Sequence, residues 1–176
     1  GAIAMTAEII DDLEQGSEAW FKVRLGIPTS SMFHAVLAKG EGKTRRAYMY
    51  RLAAEIITGQ PVETFRSAEM ERGNLMECEA RSFYCFATNS EPRRVGFVRN
   101  GIQGCSPDSL LGEDGVLEIK TQRSDLLIGT ILKNEFPSEH VAQCQGALWV
   151  TEREWVDLIV YWPKMPLFVK RTYRDE

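Results

Sequence analysis

Ser106-Pro107-Asp108, followed by Gly115-Val116-Leu117-Glu118-Ile119-Lys120-Thr121, is the stretch whose reading decides the fold. The second segment reads as a short strand, and alternation along a strand puts residues i and i+2 on one face. Glu118 and Lys120 therefore point one way, and Leu117 and Ile119 the other. Pro107-Asp108 closes an apparent strand over residues 94–105, a turn follows at 112–115, and the next strand carries Glu118 and Lys120. An Asp at the end of one strand and a Glu in its hairpin partner can meet across the ladder. Two carboxylates and an ammonium at one spot make sense if the carboxylates hold a divalent cation and the Lys meets a phosphate or a water. Taken singly the parts are ordinary, since Glu and Lys two apart on a strand are common and Ser-Pro-Asp is a common turn.

The rest of the chain sets the frame. Its 176 residues suit one domain with a real core, and its 44% hydrophobic and 26% charged residues are those of a soluble globular protein. No apolar run approaches the ~20 residues that span a membrane, and no secretory signal is visible. Gly1-Ala2-Ile3-Ala4 reads as an expression-linker remnant ahead of Met5, leaving residues 5–176 as a single domain. The four cysteines (Cys78, Cys85, Cys105, Cys144) are scattered. They suit free thiols of a reducing cytoplasm, mostly in the core, and not an iron–sulfur cluster. His34 and His140 are too far apart to suggest a zinc pair. A G-x4-GK[ST] phosphate loop is missing, so ATP hydrolysis is not expected. The net charge of −4 argues against a protein that coats nucleic acid non-specifically. Local basic groups remain at Lys39, Lys43, Arg45 and Arg46 and at Arg93-Arg94.

Helices are expected over residues 17–25 (Ser17 as N-cap), 29–37, 44–58, 67–88, 124–134 and 138–150. Strands are expected over 94–99, 102–106, 116–121, 155–162 and 167–173. Helices, a hairpin, helices and final strands imply an α/β fold with a central mixed β-sheet flanked by α-helices.

Four segments in order resemble the lambda-exonuclease-like, YqaJ-type family of viral recombination nucleases within the PD-(D/E)xK superfamily. They are Trp20-x3-Arg24-x-Gly26 with Thr29-x-Ser31, Gly73-x3-Glu77, Ser106-Pro107-Asp108 with Glu118-x-Lys120, and Gln143-x-Gln145. The resemblance spans about residues 16–162 and implies a restriction-endonuclease-like core. It implies a Mg²⁺-dependent 5′→3′ exonuclease, with Mn²⁺ able to substitute. Such an enzyme digests linear double-stranded DNA from a 5′-phosphorylated end to mononucleotides and leaves a 3′ single strand for a single-strand annealing protein. It further implies a homo-oligomer, a trimeric ring, working in the cytoplasm of a bacterial host and encoded by a phage or prophage. Lambda-type members carry further helices after the last strand of this pattern.

Phosphodiester hydrolysis needs an activated water, a stabilised pentavalent dianion and a neutralised leaving oxygen, all of which Mg²⁺ ions can supply. Mg²⁺ prefers hard oxygen ligands and keeps several waters, so two or three carboxylates suffice. Asp108 and Glu118 are the expected ligands; the resemblance adds the Ile119 carbonyl. It also picks Glu77 as the third carboxylate over Glu71 and Glu79, the bland alternative being that all are surface residues. Lys120 can orient or help deprotonate water, or stabilise transition-state charge. The resemblance favours Gln143 as a contact near the scissile phosphate, although a Gln in an apolar helix can simply satisfy a core hydrogen bond.

Arg24 is the natural anchor for a terminal 5′-phosphate, because guanidinium matches phosphate oxygens in a bidentate fork. Its alternative is an ion pair with Glu18 or another carboxylate. Ser31 at a helix N-terminus and Ser106 can add hydroxyls. Trp20, one turn before Arg24, reads as core or a brace for the pocket, with base stacking the lesser reading. Met70 matches an apolar position that separates the strands in family members; by itself it reads as filler. Two other functions fit parts of the pattern: an endonuclease of the same superfamily, of resolvase or restriction type, and a non-catalytic module that binds DNA ends.

Overall fold

The computed structural model describes residues 7–40, 42–63 and 68–176. The expected linker remnant and the expected helix start at Ser67 lie outside them. Four strands form the mixed sheet that carries the centre of the fold: β4 (Ser109–Leu111), β5 (Gly115–Thr121), β6 (Trp155–Tyr161) and β7 (Phe168–Tyr173), side by side in that order. β5 and β6 are parallel and the two outer pairs antiparallel. A parallel pair needs a crossover. Helices α5 (Ser124–Lys133) and α6 (Val141–Thr151) supply it, with a 3-10 turn at Ser138–His140 between them.

Both faces of this sheet are covered, which is why β6 is apolar along most of its length. On one side Leu117, Ile159 and Tyr161 pack with Ala80 and Tyr84 of the long helix α4 (Ala68–Thr88). On the other, Val116 and Leu158 pack with Cys144 and Leu148 of α6. Asp157 breaks the apolar run of β6. Arg171 grips it through bonds of 2.7 and 3.0 Å, and the Tyr84 hydroxyl donates to it at 2.5 Å. Burial first, then this carboxylate, pushes the Tyr84 phenol up to about 12. The pair has a packing role on the α4 face.

A second sheet is antiparallel: β1 (Ala7–Ile10), β2 (Phe97–Asn100) and β3 (Gln103–Cys105). It joins the first through an antiparallel bridge between Arg93 and Leu110. Helix α1 (Glu18–Val23) starts where expected, its N-cap Ser17 accepting from the Trp20 N–H at 3.2 Å. The expected helix over 29–37 is instead a 3-10 turn (Ser30–Met32) and one turn of helix, α2 (Phe33–Val36). Thr29 is held extended by a bridge to Gly104 and by donating to the Tyr48 hydroxyl of α3 (Lys43–Thr58). Phe33 then seats on α6 where Gly146 lacks a side chain, since a Cβ there would stand 2.2 Å from the ring.

The expected hairpin needs correction. The strand ending at Cys105 does not pair with the strand bearing Glu118. Residues 106–108 leave the three-stranded sheet and enter β4 of the mixed sheet, a strand absent from the expectation, which pairs Ser109 with Leu117. Its three residues are all buried, so an apolar segment between turns had no face to show an alternating pattern.

Candidate active site

β5 delivers its alternation as the sequence implied. Leu117 and Ile119 face α4, while Glu118 lies buried on the α6 side and the Lys120 ammonium donates to Gln143 Oε1 of α6 at 2.7 Å. Asp108 stands one residue ahead of β4, opposite this segment. Its Oδ2 accepts the Ile119 backbone N–H at 2.6 Å. N–H and C=O of one strand residue point to the same edge, so the Ile119 carbonyl is turned toward Asp108 as well. Asp108, Glu118, Ile119, Lys120 and Gln143 are thus brought together. Lysine only donates, so Gln143 must offer it the amide oxygen, which leaves the amide N–H groups to donate elsewhere.

A buried carboxyl beside a half-buried one is electrostatically costly without a cation. Burial, then nearby Glu77, raises the Asp108 carboxyl to about 6; burial, then Asp108, raises Glu118 well above the usual carboxylate range. Lys120 opposes both shifts. Glu118 Oε1 is buried and has no hydrogen-bond partner, so it is an acceptor lacking a donor or a cation. Among the described residues no three of His, Cys, Asp and Glu stand arranged as a ready metal cage. Mg²⁺ does not require one, because it binds through one or two carboxylates and keeps waters and substrate oxygens. The donor set fits such an ion: Asp108, Glu118 and the Ile119 carbonyl, all hard oxygens.

The third expected carboxylate is engaged differently. Glu77 forms a short ion pair with Arg81 one turn on. Arg81 is buried at 8% exposure and also donates to Ser109 Oγ and the Asp108 carbonyl, both at 2.9 Å. It holds the backbone of Asp108 against α4 and keeps Glu77 close enough to be felt there. Sequence reasoning missed this role because an Arg on a helix reads as surface. Its spacing of four from Glu77 was the available signal. Gln15 does similar work on the preceding loop, donating to the Val95 and Pro107 carbonyls at 2.9 and 3.0 Å.

A second group lies on the Ser106 side. Arg24 donates a short hydrogen bond to Ser106 Oγ, and its guanidinium lies 4.0 Å from the Trp20 ring centre. Trp20 Nε1 donates to the Gly96 carbonyl at 3.0 Å and to Ser106 Oγ at 3.1 Å, which fixes the ring with its face beneath the cation. In this position Trp20 braces the guanidinium and Ser106 together. Burial lowers the Arg24 pKa to about 10, which still leaves it cationic at neutral pH. Glu18, its alternative partner, is paired with Lys22 at 3.0 Å. Among the described residues no carboxylate pairs with Arg24. Ser31 is exposed on the 3-10 turn, its Oγ 3.4 Å from Thr29 Oγ1. It is not bonded to Arg24.

Gln145 parts company with Gln143. It donates to the Tyr173 carbonyl at 2.9 Å and accepts from the Asp175 N–H at 3.0 Å, fastening the end of β7. Met70 is exposed on the first turn of α4. Cys105 and Cys144 are buried and Cys78 is exposed. Burial foremost, with Glu118 adding to it, raises both buried thiols above their ordinary value. Among the described residues no helix is long and apolar enough to cross a membrane.

The raised carboxyl gives the cation-free protein a defined pH dependence. Between the unfolded value of 3.8 and the folded value of about 6 the native state binds more protons, so stability falls as pH rises through that window. A cation held by the ionised pair reverses the loss. At one fixed concentration, about a hundred times its Kd at pH 8, Mg²⁺ or Mn²⁺ is expected to raise the thermal midpoint by about 5–10 °C at pH 8. The rise at pH 5 should be far smaller. Equal shifts in a thermal-denaturation series at both pH values would detach ion binding from these carboxyls.

The model of the YqaJ-like viral recombinase domain matches residues 19–154. Two crystal structures of LHK-Exo, an alkaline exonuclease from Laribacter hongkongensis, are 32% identical to this chain, and one of them is in complex with dAMP. The likeness covers 90% of this chain and 83% of that chain, with TM-scores of 0.82 and 0.81. A phage-related exonuclease from Haemophilus somnus 129PT shares the fold alone, with a TM-score of 0.58 and 12% identity over 85% of each chain. Comparison with curated proteins finds no match.

Proposed function

The chain belongs to the YqaJ-like viral recombinase domain family, and from that premise we propose that it is a Mg²⁺-dependent 5′→3′ exonuclease of linear double-stranded DNA. The family and the alkaline exonuclease relative make it a nuclease of exonuclease type. The finer reading is that it releases mononucleotides from 5′-phosphorylated ends, with Mn²⁺ substituting. The exposed 3′ strand would pass to an annealing protein in the cytoplasm of a phage-bearing host, and the working form would be a homo-oligomeric ring.

One observation carries the end-directed part. A half-buried guanidinium, desolvated enough to lower its pKa, is braced by Trp20 and Ser106 and has no carboxylate partner among the described residues. That arrangement waits for an anion. A terminal phosphate is the anion that a DNA end brings and that an internal site lacks.

Asp108, Glu118 and the Ile119 carbonyl would hold the metal. When bound it supplies Lewis-acid stabilisation of the phosphate and a water of lowered pKa. Lys120, fixed by Gln143, points its remaining N–H groups at the attacked phosphate or its water. Gln143 donates its amide N–H groups to a phosphate oxygen. Arg81 and Gln15 hold the Asp108 loop so that the carboxylate does not swing away.

The test is a digestion series. Linear duplex with a 5′-phosphate should be degraded to mononucleotides, covalently closed circles should survive, and chelator should stop the reaction. Rapid cutting of closed circles would replace this reading with an endonuclease.

A further inference from the structure

Beside Lys120 a cavity of about 550 Å³ opens at the carboxyl ends of β5 and β6. Its floor is Lys120, Thr121 and Gln122, and Arg72 from α4 and His140 from the turn before α6 form its walls. Helix α4 lies close on the strand end here, since a Cβ at Gly73 would stand 3.4 Å from Thr121 Oγ1.

The cavity is cationic. Three basic side chains line it, Lys120, Arg72 and Arg123, against the single carboxylate of Glu139, which is largely exposed and stands 4.0 Å from His140. Arg123 is engaged by Asp125 at 2.6 and 2.8 Å. Arg72 differs. Its guanidinium carbon lies 4.8 Å from the centre of the Trp162 ring, its Nε is buried with no hydrogen-bond partner, and among the described residues it makes no ion pair. An arginine stacked on an aromatic face has its fork oriented in advance. A buried donor left unmet favours an incoming acceptor.

The cations lie in sequence across the site. Arg24 bonds Ser106, and the Cys105 thiol next to Ser106 feels both Arg24 and Glu118. Glu118 neighbours Asp108 and Lys120, and Lys120 also lines the cavity that holds Arg72. A strand with its terminal phosphate on Arg24 and its scissile phosphate at Asp108 and Glu118 therefore meets Arg72 next. We propose that Arg72, braced by Trp162, binds the internucleotide phosphate one linkage beyond the scissile one in the strand being shortened. This rests on the reading under Proposed function.

The experiment uses a neutral methylphosphonate placed singly at the first four linkages from the 5′ end. With wild-type protein, substitution at the second linkage should lower kcat/KM about tenfold, mainly through KM. Arg72→Gln should lose a similar factor on unmodified duplex, lose nothing more when the second linkage is neutral, and reduce the slope of log KM against log salt by about 0.9. Equal losses for Arg72→Gln on unmodified and second-linkage-neutral DNA would overturn the inference. So would a wild-type loss at the third or fourth linkage without one at the second, or no effect beyond the first linkage, which is the scissile one and blocks cleavage when neutral whatever Arg72 does. Because the linkage scan uses wild-type protein, misfolding of the variant cannot decide it. If wild type fails to shorten unmodified duplex from its 5′ ends, the functional reading itself is refuted and this inference goes with it. A wild type that shortens the duplex but ignores the second linkage refutes this inference alone.

Discussion

Asp108→Asn should lower kcat on linear duplex by about 10³-fold or more, the scale of removing a group that stabilises charge as it develops in the transition state. The substitution keeps the shape, and its side-chain oxygen can still accept the Ile119 N–H that Asp108 accepts at 2.6 Å. What it removes is one of the two charges that would hold the cation. DNA affinity, read by anisotropy with Ca²⁺ in place of Mg²⁺, should change little. The thermal midpoint without added metal should hold or rise at pH 8, because burial and Glu77 make the ionised carboxylate unfavourable there. A variant that still cleaves at near wild-type rate would take Asp108 out of the reaction. One that loses DNA binding and cleavage together would assign it a structural role.

Arg24→Ala carries the second large effect. Charge-assisted hydrogen bonds contribute about 1.5–3 kcal/mol each, so kcat/KM on 5′-phosphorylated ends should fall about 10–100-fold. The decisive readout is the ratio of rates on 5′-phosphate and 5′-hydroxyl ends, which should collapse toward one. Arg24→Lys separates charge from geometry. It keeps the cation but loses the planar fork over Trp20, so it should recover only part of the preference. If the ratio is unchanged in both variants, the Trp20, Arg24 and Ser106 group is not the anchor for the terminal phosphate.

These effects connect to how the chain is built. Glu118 and Lys120 were legible as one face of a strand because a strand alternates with period two, and that period holds whatever packs against it. The same reasoning read α1 with its Ser17 cap and the strand expected over 155–162, which is β6 (Trp155–Tyr161). It failed where local pattern is silent. β4 is three buried residues and β1 only four, too short to show a period. The sheet partner of Glu118 was therefore misassigned to the strand ending at Cys105. Gln143 and Gln145 are the same residue type two positions apart, roughly 200° around a helix, so they face different ways. Only the packing of α6 shows that one meets Lys120 and the other the end of β7.

Arg81 makes the same point from the other side. In the sequence it is one of several charges on a helix. Only when α4 lies on β4 and β5 does it become 8% exposed and grip Asp108, Ser109 and Glu77 together. Arg72 gains its meaning from Trp162, 90 positions away in the chain. The sequence by itself determined the chemistry available: two carboxylates, a lysine, a glutamine and a braced arginine, ordered along a recognisable pattern. The tertiary structure alone decided which of them share a site. Burial, unmet hydrogen bonds and raised carboxyl pKa values arise between segments that are neighbours only after folding, and no local period encodes that proximity.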